Sequence, residues 1–170
     1  MASLKNKVNF TKGWPSKSIQ EEVLQPDSGV SIEAGFVGIR KHADPEVWIL
    51  GVPNLVDEVF IFRNDSDDPD AARTSHDPDE YRQVPFGGVQ GISFQNPLEI
   101  ETIQYDGAPS VGDKLYADVD GLLKVAEQED GTVLALSKIV VAVVTKPLYY
   151  VGQHNYIRVV PCQKYSTPAT

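Results

Sequence analysis

The most apolar run in the chain is residues 138–146, KIVVAVVTK, which is β-branched at most positions. It is too short to cross a bilayer and fits a central strand buried on both faces. Strict alternation predicts Val140, Ala142 and Val144 on one face and Ile139, Val141 and Val143 on the other. Residues 97–106 (PLEIETIQYD) alternate as well, with Leu98, Ile100 and Thr102 against Glu99, Glu101 and Ile103, the pattern of a half-buried antiparallel strand. In residues 56–62 (VDEVFIF), Val59 and Ile61 share a face and Phe60 and Phe62 take the other. Further strand-like runs are 30–41, where Gly35 and Gly38 mark bulges or close approaches, then 47–52 and 81–94. Asp120-Gly121 and Asp130-Gly131 are turn pairs, since glycine takes positive φ without steric penalty.

A helical signal occurs once. Ser18-Ile19-Gln20-Glu21 has the form of a capping box for a short turn ending near Leu24. About ten strand candidates separated by regular turn signals predict an all-β protein, a β-barrel or β-sandwich. The expected layout is an extended N-terminal arm at 1–28, a body at 29–162 and a flexible tail at 163–170. Within the body, residues 64–80 hold seven acids, one base and two prolines, and read as a solvated acidic loop. In the arm, Val8, Phe10 and Trp14 are the apolar side chains expected to contact a partner on ordering.

Composition narrows the chemistry. The 170 residues carry a formal net charge of −9, which opposes binding to nucleic acid and suits a partner with a basic face. Cys162 is the single cysteine, so no intrachain disulfide forms, and its place at the end of a strand reads as an inert thiol. His42, His76 and His154 show no metal-ligand spacing. Asp65, Asp67 and Asp68 open like a calcium loop, but Pro69 and Asp70 stand where that loop needs a ligand and a glycine. Residues 86–91 are glycine-rich but lack the lysine of a phosphate loop, and Gly91-Ile92-Ser93-Phe94-Gln95 lacks the closing glycine of a nucleophile elbow. The expectation is a binding protein without catalytic residues, metal or cofactor, and without a membrane partner.

Val111-Gly112-Asp113-Lys114-Leu115-Tyr116-Ala117-Asp118, followed by Asp120-Gly121-Leu122-Leu123, resembles the barrel of tailed-bacteriophage capsid decoration (cement) proteins. Ile32-Glu33-Ala34-Gly35-Phe36-Val37 is similar to the entry strand after their N-terminal arm. The resemblance spans residues 30–62 and 107–160 and omits the acidic loop. It implies a virion protein, made in the host cytoplasm, on the outside of an assembled capsid. Its partners would be the major capsid protein, whose subunits it bridges, and further copies of itself as a dimer or trimer, the trimer favoured. Two other readings stand beside it: a glycan-binding or hydrolytic β-domain of a phage fibre or tail, and a barrel-sandwich carrier module, for which the Met-Lys-Met attachment site is missing.

Overall fold

A computed structural model describes residues 7–12, 21–26, 31–40, 47–63, 65, 89–132, 134, 136–151 and 154–168. Every regular element among them is a strand: β1 (Val8–Lys12), β2 (Glu21–Pro26), β3 (Val37–Arg40), β4 (Val47–Ile49), β5 (Val59–Phe62), β6 (Val89–Ser93), β7 (Glu99–Thr102), β8 (Lys114–Ala117), β9 (Leu123–Glu127), β10 (Ile139–Val151) and β11 (His154–Ser166). The chain is all-β, as its alternation predicts. One sheet has six strands in the order β1-β7-β11-β10-β8-β9, antiparallel throughout. The other five pair in a small ring, β2-β4-β3-β5-β6, which closes where β6 returns to β2. Its seam is the parallel β2–β4 contact, Gln25 with Val47 and Pro26 with Trp48.

Both sheets share one core. Ile100, Leu115, Val144, Ile157 and Val159 from the large sheet meet Val37, Val59, Ile61 and Ile92 from the ring. The alternation of β5 holds as read: Val59 and Ile61 enter this core, and Phe60 and Phe62 pack with Ile32 in a second cluster. That of β7 holds too, with Leu98, Ile100 and Thr102 almost wholly buried. Gly121 has φ +82 and sits so close to Phe36 that an added Cβ would lie 2.9 Å from its ring. Gly35, φ +90, is a close approach of the same kind, against Gln104 at 2.8 Å.

Four expectations need correction. First, β10 does not alternate simply. Val141, Ala142 and Val144 share the main core, while Val140 packs with Tyr116 and Ala126 elsewhere. The ladder shifts register here: Val140 pairs with Tyr165 and Ala142 with Pro161, so β11 advances four residues while β10 advances two. A bulge of this kind twists the strand and resets which face a residue takes. Second, residues 21–24 are not helical. They form β2, paired with β6 from Glu21–Ile92 to Leu24–Val89, because long-range pairing outweighs a local capping pattern. Third, the described parts of the expected arm at 1–28 belong to the body's sheets: β1 pairs with β7, and β2 with β6. Fourth, the chain is still held at 163–167: β11 runs to Ser166, and Thr167 is buried, with its hydroxyl accepting from Lys138 N at 2.8 Å.

The shared core sets a stability prediction. Ile100, 0% exposed, should cost about 2–5 kcal/mol when cut to alanine. Leu55, 52% exposed, should change stability by no more than about 0.5 kcal/mol under the same substitution. Urea midpoints of Ile100→Ala and Leu55→Ala check this, and comparable losses at the two sites would refute the assigned core.

Candidate functional site

The extra residues of β11 build one of the concavities among the described residues. Cys162, Gln163 and Lys164 fall in the register shift and line a cleft of about 590 Å³ with Asp57, Glu58, the 93–96 turn and Val141. The cleft lies between the two sheets. Lys164 crosses it, its Nζ donating to the carbonyl of Asp57. Burial pulls the Lys164 ammonium below its ordinary 10.5, against the attraction of Asp57 and Glu58. Burial likewise pushes the Cys162 thiol above 9.0, which keeps it protonated at neutral pH and a poor nucleophile.

Beside the cleft the 52–57 loop is pre-formed. Asn54 Oδ1 accepts from Val56 N at 2.9 Å and Asp57 N at 3.0 Å, and Asp57 Oδ2 accepts from Asn54 N at 2.8 Å. This locked turn holds Leu55 52% and Val56 87% exposed. Leu136, 70% exposed, precedes Ser137, whose hydroxyl lies 2.7 Å from that of Ser166. The Lys164–Asp57 and Ser137–Ser166 contacts therefore bring both apolar stretches to one end of the β10–β11 hairpin, away from the end where Val151 pairs with His154.

Across β1, β7 and β11 the outer face of the large sheet is polar and paired with itself. Arg158 Nη2 lies 2.6 Å from Glu101 Oε1, and its Nε lies 3.8 Å from Glu99. Thr11 donates to Glu99 at 2.8 Å, which ties β1 into the same network. Burial pushes the Glu101 carboxyl up, but the Tyr149 hydroxyl and the Arg158 guanidinium outweigh it and hold the group below 4.5. At the β8–β9 turn, Lys124 lies 2.7 Å from Asp118, 3.1 Å from Asp120 and 3.9 Å from Asp106. These carboxylates hold the chain's own ammonium. Among the described residues no group of three or more His, Cys, Asp or Glu is arranged to hold a metal.

Two of the three residues expected to contact a partner have other duties here. Val8 is 8% exposed within the main core, and Phe10 packs against the same core. In the structure they alternate with Asn9 and Thr11 as a strand covering its own sheet does. Trp14, His42 and His76 lie outside the described residues, as does the acidic loop apart from Asp65. Asp65 is anchored, accepting from Ala34 N at 2.8 Å and pairing with Lys7 at 3.0 Å. His154 meets Tyr156 edge-on at 6.4 Å. The sequence reading missed the exposed pair Leu55 and Val56; the signal was Asn54 and Asp57 bracketing two apolar residues in a turn. No protein-family model matches the chain, and no curated protein matches it in sequence.

The Glu101 pair gives a pH prediction. A carboxyl whose folded pKa is depressed adds stability that is full above its ordinary 4.5 and is lost as pH falls through the lower folded value. Glu101→Gln should therefore lower stability at neutral pH and flatten the acid limb of a stability–pH curve. An acid limb identical to that of the unsubstituted protein would show that the pair does not act.

Proposed function

We propose that this protein is a virion component that binds the outside of an assembled tailed-phage capsid and stabilises it by bridging major capsid protein subunits. It works by binding, not by turnover. The observation that carries the reading is the apolar end of the hairpin, where Leu55, Val56 and Leu136 stand exposed on segments fixed by hydrogen bonds. Clustered exposed apolar side chains, unlike single ones, mark interaction surfaces, and a loop already held in shape loses little entropy on docking. The net charge of −9 supports the reading further, since it would draw the protein to a basic face of a capsid subunit and keep decorated particles apart. A ligand that binds only the mature lattice stabilises it by mass action, and many copies multiply the effect. The copies would sit as dimers or trimers, trimers favoured, on the capsid exterior.

The test mixes purified protein with mature and immature capsids, followed by co-sedimentation and imaging. Ordered density on the mature exterior is the expected result. Leu55→Asp with Val56→Asp should weaken occupancy at least about tenfold, because each buried aliphatic side chain contributes about 1.5–3 kcal/mol and 1.4 kcal/mol is a factor of ten. Absence of the wild type from both capsid forms would end the proposal, and undiminished binding of the double variant would move the docking face elsewhere.

A further inference from the structure

The lysines of the described residues differ in what holds their nitrogen. Lys7, Lys12 and Lys124 pair with carboxylates, and Lys138 and Lys146 lie over the rings of Tyr116 and Tyr149 at 4.6 and 4.1 Å. Lys164 is half-buried, and it is the one described lysine in the lining of the cleft between the sheets. Its hydrogen bond goes to a neutral acceptor, the carbonyl of Asp57. Among the described residues no carboxylate closes an ion pair with it. Asp57 Oδ2 accepts from Asn54 N at 2.8 Å, and Glu58 Oε2 lies 2.9 Å from Arg40 Nε. Both carboxylates attract the Lys164 ammonium from farther off, yet burial outweighs them and holds it below the ordinary lysine range. A desolvated amine of this kind gives up its proton more readily than a solvated one.

The Asp57 carbonyl can only accept. It holds the amine through one N–H and leaves the nitrogen lone pair of the neutral form unengaged. Around that nitrogen the cleft is lined by polar groups with capacity to spare. Ser93, Asn96 and Gln163 make no side-chain hydrogen bond to a described residue, and Asn96 and Gln163 are exposed. A side-chain amide offers both a donor and an acceptor, which is what a hydroxyl group needs. An apolar guest would strip water from these groups and replace none of their hydrogen bonds, which costs free energy. The lining therefore suits a small hydroxylated molecule, and the amine suits one that carries an electrophilic carbon.

We propose that Lys164 captures small hydroxylated aldehydes in this cleft as an imine. The neutral amine adds through its lone pair to the aldehyde carbon, and one nitrogen proton passes through water to the aldehyde oxygen, giving a carbinolamine. The C–O bond then breaks as the nitrogen pair forms C=N, and the oxygen leaves as water with the second nitrogen proton. One amine and one aldehyde give one imine and one water, with no oxidant or reductant. When protonated, the imine keeps an N–H for the Asp57 carbonyl and a positive charge that Asp57 and Glu58 attract. The side chains of Asn96 and Gln163 take the hydroxyl groups and so select the aldehyde. The capsid reading does not use this cleft, and the two stand or fall separately.

The test treats the full-length protein at neutral pH with glyceraldehyde and sodium cyanoborohydride, which reduces an imine to a stable secondary amine. Peptide mapping then gives the rate of modification at each lysine. Lys164 should react at least about tenfold faster than Lys12, although the Lys12 side chain is 71% exposed. Propanal, of the same chain length without the hydroxyl groups, supplies the comparison for selectivity. The ratio of glyceraldehyde to propanal rates should be higher at Lys164 than at Lys12. Asn96→Ala with Gln163→Ala should bring the Lys164 ratio down to that of Lys12. Both positions are exposed, so an unchanged far-UV spectrum separates lost selectivity from misfolding. Modification of Lys164 at or below the rate of Lys12 overturns the proposal. So does a glyceraldehyde preference that is equal at the two lysines, or one that survives the double substitution.

Discussion

The β10–β11 ladder is the constraint on which the rest depends. It pairs the two longest strands, thirteen residues each, and lies at the middle of the large sheet. Had it run in register throughout, Val140, Ala142 and Val144 would share one face. The shift between Val140 and Ala142 instead turns Val141, Ala142 and Val144 together into the shared core and frees Val140 to anchor a separate cluster with Tyr116 and Ala126. The same shift lifts Cys162, Gln163 and Lys164 out of regular pairing, and those residues form one wall of the cleft between the sheets. One irregularity therefore sets both the packing of the core and the location of the concavity.

The two faces of the large sheet are held by different physics. The inner face is aliphatic and continuous with the ring, so its stability scales with apolar area removed from water. On the outer face Glu99 and Glu101 are paired with Arg158, and Thr11 and Lys12 extend the contact to β1. A partly buried ion network adds modest stability but demands a definite geometry. Its effect here is to fix the register of β1 on β7, an edge pairing of five residues or fewer that apolar burial by Val8 and Phe10 alone would leave prone to slip.

Much of this fold was legible because period-two alternation reports directly on a half-buried strand. β5 and β7 carry that signal cleanly, and the glycines of the Asp-Gly pairs sit at positive φ as the turns require. What the pattern could not report is register. Residues 138–146 are apolar at nearly every position, so either phase of alternation fits them, and the bulge that decides between phases is a property of the partner strand. Residues 21–24 show the same limit, since a capping box is a local signal and the β6 edge that claims the segment is almost seventy residues away. Val8 and Phe10, expected to reach for a partner, alternate with Asn9 and Thr11 in a stretch of only five residues, too short for the period to stand out. The cleft was illegible altogether: its residues come from 57–59, the 93–96 turn, β10 and β11, and none has a spacing that marks it.

Charge and apolar surface divide the work of recognition between distance and contact. Lys7, Lys124, Arg158 and Lys164 are committed to partners within the body, and the chain as a whole carries a net charge of −9 and so a negative field. At physiological salt such a field reaches about 8 Å, enough to orient an approaching surface and raise the encounter rate but not enough to hold a complex. Retention has to come from groups that lose water on contact, and differences in affinity between related complexes arise mostly in the dissociation rate. Leu55, Val56 and Leu136 are such groups, and their exposure has no structural necessity: none belongs to a core cluster, and the Asn54–Asp57 turn would form as well with polar residues at its two central positions. Apolar side chains held outward by a closed hydrogen-bonded turn gain nothing for the isolated fold. On the proposed capsid-binding reading their contribution would be to an interface, with the net charge of −9 favouring a basic face as the one that reaches it.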